Sequence, residues 1–276
     1  MKSLRKWGYY LGSIFTLLWG FKNWPWVVKI FLSKDDGKIK TLKLKKQGLT
    51  LRVRGKMDVW SVKETLLDRL YTKYGTQIGE NWKVMDIGAA IGEFTLLAAL
   101  SARNGSVVAY EPFPGSFELL QENIVLNGFE NVSLYNQAVW GSAGALHLDI
   151  SSGEPLQMAS RDDFVNNIAY SLIEVPAITL QMALEENKVG RLDLLKLDCE
   201  GAEFPILLEA DAAVWERVER IVMEYHDGFE GHRHEELVKL LERLGYRVRV
   251  NKNIVHDDIG YLYAEKTQQS TEGNKN

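Results

Sequence analysis

"VMDIGAAIGEFTL", residues 84–96, decides the fold. It opens as a short apolar run of strand character and closes as a helix, with a turn between them marked by Gly88 and Gly92. Glycine lets the backbone turn tightly and approach a ligand, and the helix start offers free N–H groups. The spacing is D-x-G-x-x-x-G, not the G-x-G-x-x-G of a dinucleotide site. Asp86, just before the turn, is badly placed against a pyrophosphate but suits a cationic ligand or an amine. A nicotinamide-type oxidoreductase is therefore disfavoured.

Outward from this turn, apolar strands and helical stretches alternate from residue 82 onward: "SVVAYE" and a helix over 114–126, "VSLYNQAV", "LDLLKLDCE" and a helix, "RIVMEYH" and a helix from about Glu235. Such alternation predicts a mostly parallel sheet covered on both faces. The last runs, "YRVRV" and "GYLYAE", have no helix between them and predict an antiparallel hairpin at the sheet edge. Residues 151–175 are polar and loop-like, an insertion placed to act as a lid, and residues 266–276 read as a disordered tail.

Residues 1–80 read as an N-terminal extension. "KIKTLKLKKQGLTLRVRG" (38–55) alternates like a hairpin turning at Gln47-Gly48, and Val59, Val62, Leu66, Leu70 and Tyr74 mark one helical face ending at Gly75. Residues 1–33 mix aromatics with Lys2, Arg5, Lys6, Lys22 and Lys29 and contain no acid. The uncharged run from Trp7 to Phe21 is short for a span, and no small-residue cleavage site follows it. That composition suits either a helical cap on the domain or a segment lying on an anionic membrane surface.

The 276 residues, 46% hydrophobic and 25% charged, suffice for one sizeable core. A net charge of −4 and the absence of a basic accessory region argue against a nucleic-acid partner. The single cysteine, Cys199, rules out an internal disulfide and favours a reducing compartment. A cytoplasmic protein is expected, with residues 1–33 leaving open association with the inner face of a membrane. Cys199 itself reads as a packed small side chain rather than a nucleophile.

Glu111 ends the second strand, nineteen positions after Gly92. An acid at that distance is placed to bind two ribose hydroxyls. A ribose without a pyrophosphate, next to an acid that tolerates a cation, fits S-adenosylmethionine. Here the sequence resembles the FkbM family of S-adenosylmethionine-dependent methyltransferases. The resemblance is carried by "VMDIGAAIGEFTL", "VAYEPFPGSFELLQENIVLN", "LDLLKLDCEGAE" and "IVMEYH" over about residues 80–227, with "NWPW" and "MDVWSVKE" resembling its N-terminal extension. It implies an α/β fold with a seven-stranded Rossmann-like sheet, and O-methylation of sugars, glycan precursors or natural products. It places Asp86, Gly88, Ala89 and Gly92 beside the methionine portion, Glu111 and Pro112 at the ribose, and Asn136, Gln137 and Ala138 near the adenine. This chain has Ala90 where the family usually has Asn, and Gln181 where it usually has Asp after "TL". These departures keep open a rival class, a binding module with this fold and no turnover.

Ligands of open α/β sheets bind at the carboxyl ends of the strands. Asp198 and Glu200 follow one such strand, and Glu224 and His226 end the next. Asp198 is expected to face the reacting centre and also to contact the cofactor, with Glu200 or His226 taking the acceptor's proton. Glu224 is either catalytic or the buried partner of Lys196. Asp198, Glu224, His226 and Asp227 are of the types that ligate a divalent ion, which some O-methyltransferases use, but His232-x-His234 does not match a zinc spacing, and no metal is expected.

Overall fold

The structure, a computed structural model, describes residues 2–32, 38–73, 75, 77–150, 156–159 and 172–267. The chain begins with helices α1 (Lys2–Gly20) and α2 (Trp24–Leu32), the hairpin β1 (Lys40–Lys43) and β2 (Thr50–Val53), and helix α3 (Lys56–Val62). The α/β portion runs β3 (Lys83–Ile87), α5 (Glu93–Ser101), β4 (Ser106–Tyr110), α6 (Pro114–Asn127) and β5 (Val132–Tyr135). After an excursion it resumes with α7 (Leu180–Glu186), β10 (Leu194–Leu197), α8 (Glu203–Leu208), α9 (Ala212–Arg217), β11 (Arg220–His226) and α10 (His234–Arg243). It closes with β12 (Tyr246–Lys252) and β13 (Ile259–Lys266).

The main sheet has seven strands in the order β12-β13-β11-β10-β3-β4-β5. Only β13 runs against the others, pairing antiparallel with both β11 and β12. The predicted hairpin is present, but β13 inserts inside the sheet and β12 alone forms the edge. Alternating side chains feed two cores. Met85, Ile87, Leu195, Leu197, Ile221 and Met223 join α7, α8 and α10 on one face. Val84, Leu194, Val222, Tyr261 and Tyr263 join α5, α6 and the N-terminal elements on the other. The N-terminal elements therefore complete a core layer, with Phe21, Leu42, Leu51, Val59 and Leu66 fully buried.

The structure corrects four sequence readings. "VSLYNQAV" is not one strand: β5 stops at Tyr135, and β6 (Ala138–Val139) leaves for a second sheet. That four-stranded sheet, ordered β6-β9-β7-β8, contains β7 (Gly144–Asp149), β8 (Leu156–Ala159) and β9 (Leu172–Ile178), so part of the supposed loop at 151–175 is strand. The predicted lid residues Arg161, Asp162, Asp163, Phe164, Asn166, Asn167 and Tyr170 lie outside the described residues, as does the tail from 268. Lys266, assigned to that tail from sequence, belongs to β13. The helix read over 58–75 breaks instead. Beyond α3 the chain widens into a π-helical stretch, Lys63–Leu67, passes Arg69 at φ 59°, and re-forms as α4 (Leu70–Lys73). This shift of register buries Tyr71, leaving Leu70 half-buried.

Candidate active site

A cleft of about 250 Å³ opens at the carboxyl ends of β3, β4 and β10. Its floor is Gly88, Ala90 and Ile91, one wall is Tyr110, Glu111 and Pro112, and the opposite end is Asp198, Cys199 and Glu200. Ala138, Val139 and Leu148 of the second sheet close one side, and Arg54, Met57, Asp58 and Ser61 close the other.

Glu111 is locked in place. Its Oε2 accepts a hydrogen bond from Ala90 N at 2.8 Å and its Oε1 one from Phe113 N at 2.8 Å. Asn136 Nδ2 donates to the Glu111 carbonyl at 2.8 Å and to the Pro112 carbonyl at 3.1 Å, fixing the backbone on either side of the peptide link. Burial pushes the Glu111 carboxyl up to about 7, against the pull of its two backbone donors. Each carboxylate oxygen retains acceptor capacity beyond one bond, which suits two vicinal hydroxyls. Glu93 lines the same cleft; its Oε1 accepts from Ser61 Oγ and its Oε2 is buried without a hydrogen-bond partner among the described residues. An unsatisfied buried carboxylate oxygen is costly unless a ligand supplies a donor or a cation. These groups fit a nucleoside that carries positive charge.

Under the cleft lies an ion pair set by strand register. Lys196 of β10 stands opposite Asp86 of β3, and Lys196 Nζ lies 2.9 Å from Asp86 Oδ1 and donates to Gly88 O at 2.7 Å. Thr95 Oγ1 donates to Asp86 Oδ2 at 2.6 Å. Burial works to lower the lysine's pKa, but Asp86 and Asp198 outweigh it and hold Lys196 charged. The buried carboxylate expected for Lys196 is thus Asp86. It is not Glu224, since the register sets Val222 opposite Lys196.

The β10 end is a knot of acids around one histidine. Glu203, fully buried, folds back to accept from Cys199 N at 2.6 Å and Gly201 N at 2.9 Å, and its Oε1 lies 3.3 Å from His226 Nδ1. It is thus a clamp on the turn that precedes α8. The other ring nitrogen, His226 Nε2, faces Glu200 Oε2 at 3.6 Å. Burial lowers the imidazole's pKa, but the Glu203 hydrogen bond and the surrounding carboxylates prevail and raise it to about 10. His226 is therefore an imidazolium at neutral pH. Tyr71 Oη donates to Asp198 Oδ2 at 2.5 Å, with its ring edge-on to Phe94 and Tyr261. Burial, then the nearby Asp198, pushes the Glu224 carboxyl well up. Burial likewise pushes the Cys199 thiol up and its Sγ contacts Ile87 O at 3.3 Å, which removes it as a nucleophile.

Of the residues expected at the cofactor, Gly88, Glu111, Pro112, Ala138 and Asp198 line the cleft. Asp86 lies beneath it, committed to Lys196 and Thr95. Ala89 is buried in the core. Gly92 faces α6, where a Cβ would overlap Leu120. Asn136 acts through the Glu111 backbone, and Gln137 Oε1 is buried without a partner among the described residues. Gln181 sits on α7 with its Nε2 on Glu185, away from the cleft. Sequence reasoning missed Arg54, Asp58, Ser61, Tyr71 and Glu93. One signal was available: Arg54 and Asp58 are an i, i+4 pair of opposite charge, and Asp58 Oδ2 accepts from Arg54 N at 2.7 Å.

A seven-stranded sheet with its antiparallel strand next to the edge, a glycine turn after β3 and a ribose-competent acid after β4 define a Rossmann-like methyltransferase. The chain belongs to the FkbM methyltransferase family, whose domain matches residues 86–248. It is 26% identical over 238 residues to the 31-O-demethyl-FK506 methyltransferase FkbM of Streptomyces tacrolimicus, covering 76% of this chain and 90% of that one. Methyltransferase 1 of Beauveria bassiana is 25% identical over 182 residues, 60% of this chain and 72% of that one. The crystal structure of methyltransferase FkbM from Methylobacillus flagellatus superposes with a TM-score of 0.49 at 16% identity, over 71% of this chain and 46% of that one. The protein is a methyltransferase and S-adenosylmethionine is its cofactor.

Proposed function

We propose that the protein methylates a hydroxyl oxygen of a sugar, a glycan precursor or a natural product. One observation carries this reading: Asp198 and Glu200 line the same cleft as Glu111, so a ligand anchored at β4 presents its far end to carboxylates. The cofactor, when bound, supplies a methyl group on an activated sulfonium leaving group. What the chain must add is alignment of the acceptor oxygen and removal of its proton.

Asp198, its Oδ2 fixed by Tyr71, orients the hydroxyl. His226 is held as an imidazolium by Glu203, so it is not a vacant base at rest; its Nε2 lies 3.6 Å from Glu200 Oε2. Glu200, exposed at the cleft mouth, takes the proton. Glu224, its carboxyl pushed up by burial and by the nearby Asp198, is not among the residues lining the cleft and is not assigned the proton. An oxygen acceptor is also what the name of the Streptomyces relative specifies for that enzyme. A screen of sugars, glycolipids and hydroxylated polyketides for a one-methyl mass gain tests the assignment. Asp198→Asn and Glu200→Gln are each expected to cut turnover about 100-fold, with S-adenosylhomocysteine affinity retained in Glu200→Gln. Full turnover in both variants, or methylation at nitrogen only, would sink the proposal.

A further inference from the structure

Helix α1 is amphipathic the wrong way round. Its inward face carries the polar groups: Ser13 is buried, Tyr9 Oη donates to Glu64 Oε1 at 2.6 Å, and Lys63 Nζ donates to Tyr9 Oη at 3.1 Å. Its outward face carries the large apolar side chains: Trp7 is 66% exposed, Phe15 64% and Trp19 76%, with Leu11 and Ile14 between them. Helix α2 extends the patch through Trp26 and Leu32. A helix packed on a domain ordinarily buries such a stripe, and a contiguous exposed apolar patch marks an interaction site.

Charge says what covers it. Exposed Lys22, Lys29, Lys45 and Lys46 surround the patch, and two of them are tied to its aromatics: Lys29 Nζ lies 4.7 Å from the Trp26 ring centre and Lys45 Nζ 5.8 Å from that of Trp19. Residues 2–32 contain no acid, in a chain whose net charge is −4; the next acids along the chain, Asp35 and Asp36, lie outside the described residues, and Glu64 meets the helix only on its inward face, through Tyr9. Tryptophan flanked by lysine is the composition of a segment lying at the headgroup level of an anionic bilayer. Two copies of this face would bring like charges together, which disfavours a homodimer. Among the described residues, no helix is long and apolar enough to cross a membrane. We infer that the outward face of α1 and α2 docks on the surface of a membrane rich in anionic phospholipid, lying in its interface without spanning it. Tyr9 and Glu64 then join the docked helix to the π-helical stretch that follows α3, and α3 carries the cleft-lining Met57, Asp58 and Ser61.

The test uses the full chain with vesicles of phosphatidylcholine alone and of phosphatidylcholine mixed with phosphatidylglycerol. Sedimentation with the anionic vesicles and a blue shift of tryptophan emission are expected, because four of the eight tryptophans lie in this segment. Replacing exposed side chains that make no core contact keeps the fold intact. Trp7→Ser/Phe15→Ser/Trp19→Ser should abolish both signals. Lys22→Glu/Lys45→Glu should weaken binding at least about tenfold and remove its salt sensitivity. Light scattering of the same proteins without vesicles gives their mass. Failure to bind anionic vesicles, equal binding to neutral ones, unchanged binding by the triple variant, or a dimer that the triple variant dissociates would each overturn the inference.

Discussion

The turn after β3, Gly88–Gly92, and the turn after β10, Asp198–Ala202, meet across the cleft and share a backbone device. Each forces a non-glycine residue into the left-handed region, Ala90 at φ 47° and Glu200 at φ 53°, with a positive-φ glycine in the same turn. They even interlock, since a Cβ on Gly88 would overlap the Asp198 carbonyl oxygen. Their contents are opposite. The first turn is apolar, with Ala89 and Ile91 buried, and its Ala90 N–H holds Glu111 while those of Gly88 and Ala89 donate to the Tyr110 carbonyl. The second is acidic and is held from within by one buried carboxylate, Glu203. The difference separates recognition from chemistry: a turn without charges can stay rigid around a cofactor, whereas the charged turn keeps its shape only while every acid has a partner.

The largest effect should follow from removing that partner. Glu203→Ala leaves two backbone N–H groups and the Nδ1 of the buried imidazolium without an acceptor, and should cost about 3–5 kcal/mol of unfolding free energy in a denaturant titration. The wild-type pair also has a pH signature. The His226 pKa is raised from 6.5 to about 10 in the fold. The stability this contributes is therefore present in full below pH 6.5 and lost as pH climbs through about 10. Glu203→Gln should flatten that limb of the stability profile.

On the recognition side, Glu111→Ala should weaken S-adenosylhomocysteine binding by about 10- to 100-fold in calorimetry, the worth of one or two charge-assisted hydrogen bonds. The same carboxylate should impose a milder pH dependence. Burial raises the Glu111 carboxyl from 4.5 to about 7, so the free protein loses stability as pH rises across that interval. Cofactor binding should move the other way, tightening as Glu111 ionises, because only the carboxylate accepts from both hydroxyls. A Glu111→Gln variant whose affinity keeps the wild-type pH profile would show that another group, Glu93 among them, sets it.

How much of this was legible in the sequence differs between the two turns. Strand–helix alternation and the D-x-G-x-x-x-G spacing are local signals, so the sheet, the cleft floor and Glu111 could be read directly. The β10 turn also announced its acids, but not their partners. Lys196 meets Asp86 only because β10 and β3 are aligned in that register, a pairing between residues far apart in the chain. Tyr71 was hidden for a different reason. The π-helical stretch at 63–67 shifts the inward face, so strict helical spacing pointed to Leu70 and Tyr74 instead. The second sheet escaped because β6 has only two residues and β8 and β9 flank polar sequence, too little alternation to register as strands.

The smallest expected effect probes the strain that the two turns share. An alanine in the left-handed region costs about 1–2 kcal/mol relative to a comfortable conformation, a cost glycine avoids and asparagine reduces. Ala90→Gly and Ala90→Asn should therefore each raise stability, by about 0.5–1 kcal/mol after the entropy glycine gains in the unfolded chain is set against it. The two variants part at the cleft, because Ala90 lines it and asparagine alone adds polar atoms there. If the turn is only a scaffold for Glu111, both variants should bind S-adenosylhomocysteine as the wild type does. Tighter binding by Ala90→Asn alone would mean that the side chain at this position reaches the cofactor. The apolar turn would then take part in recognition directly, and its contrast with the acidic turn would be one of charge only.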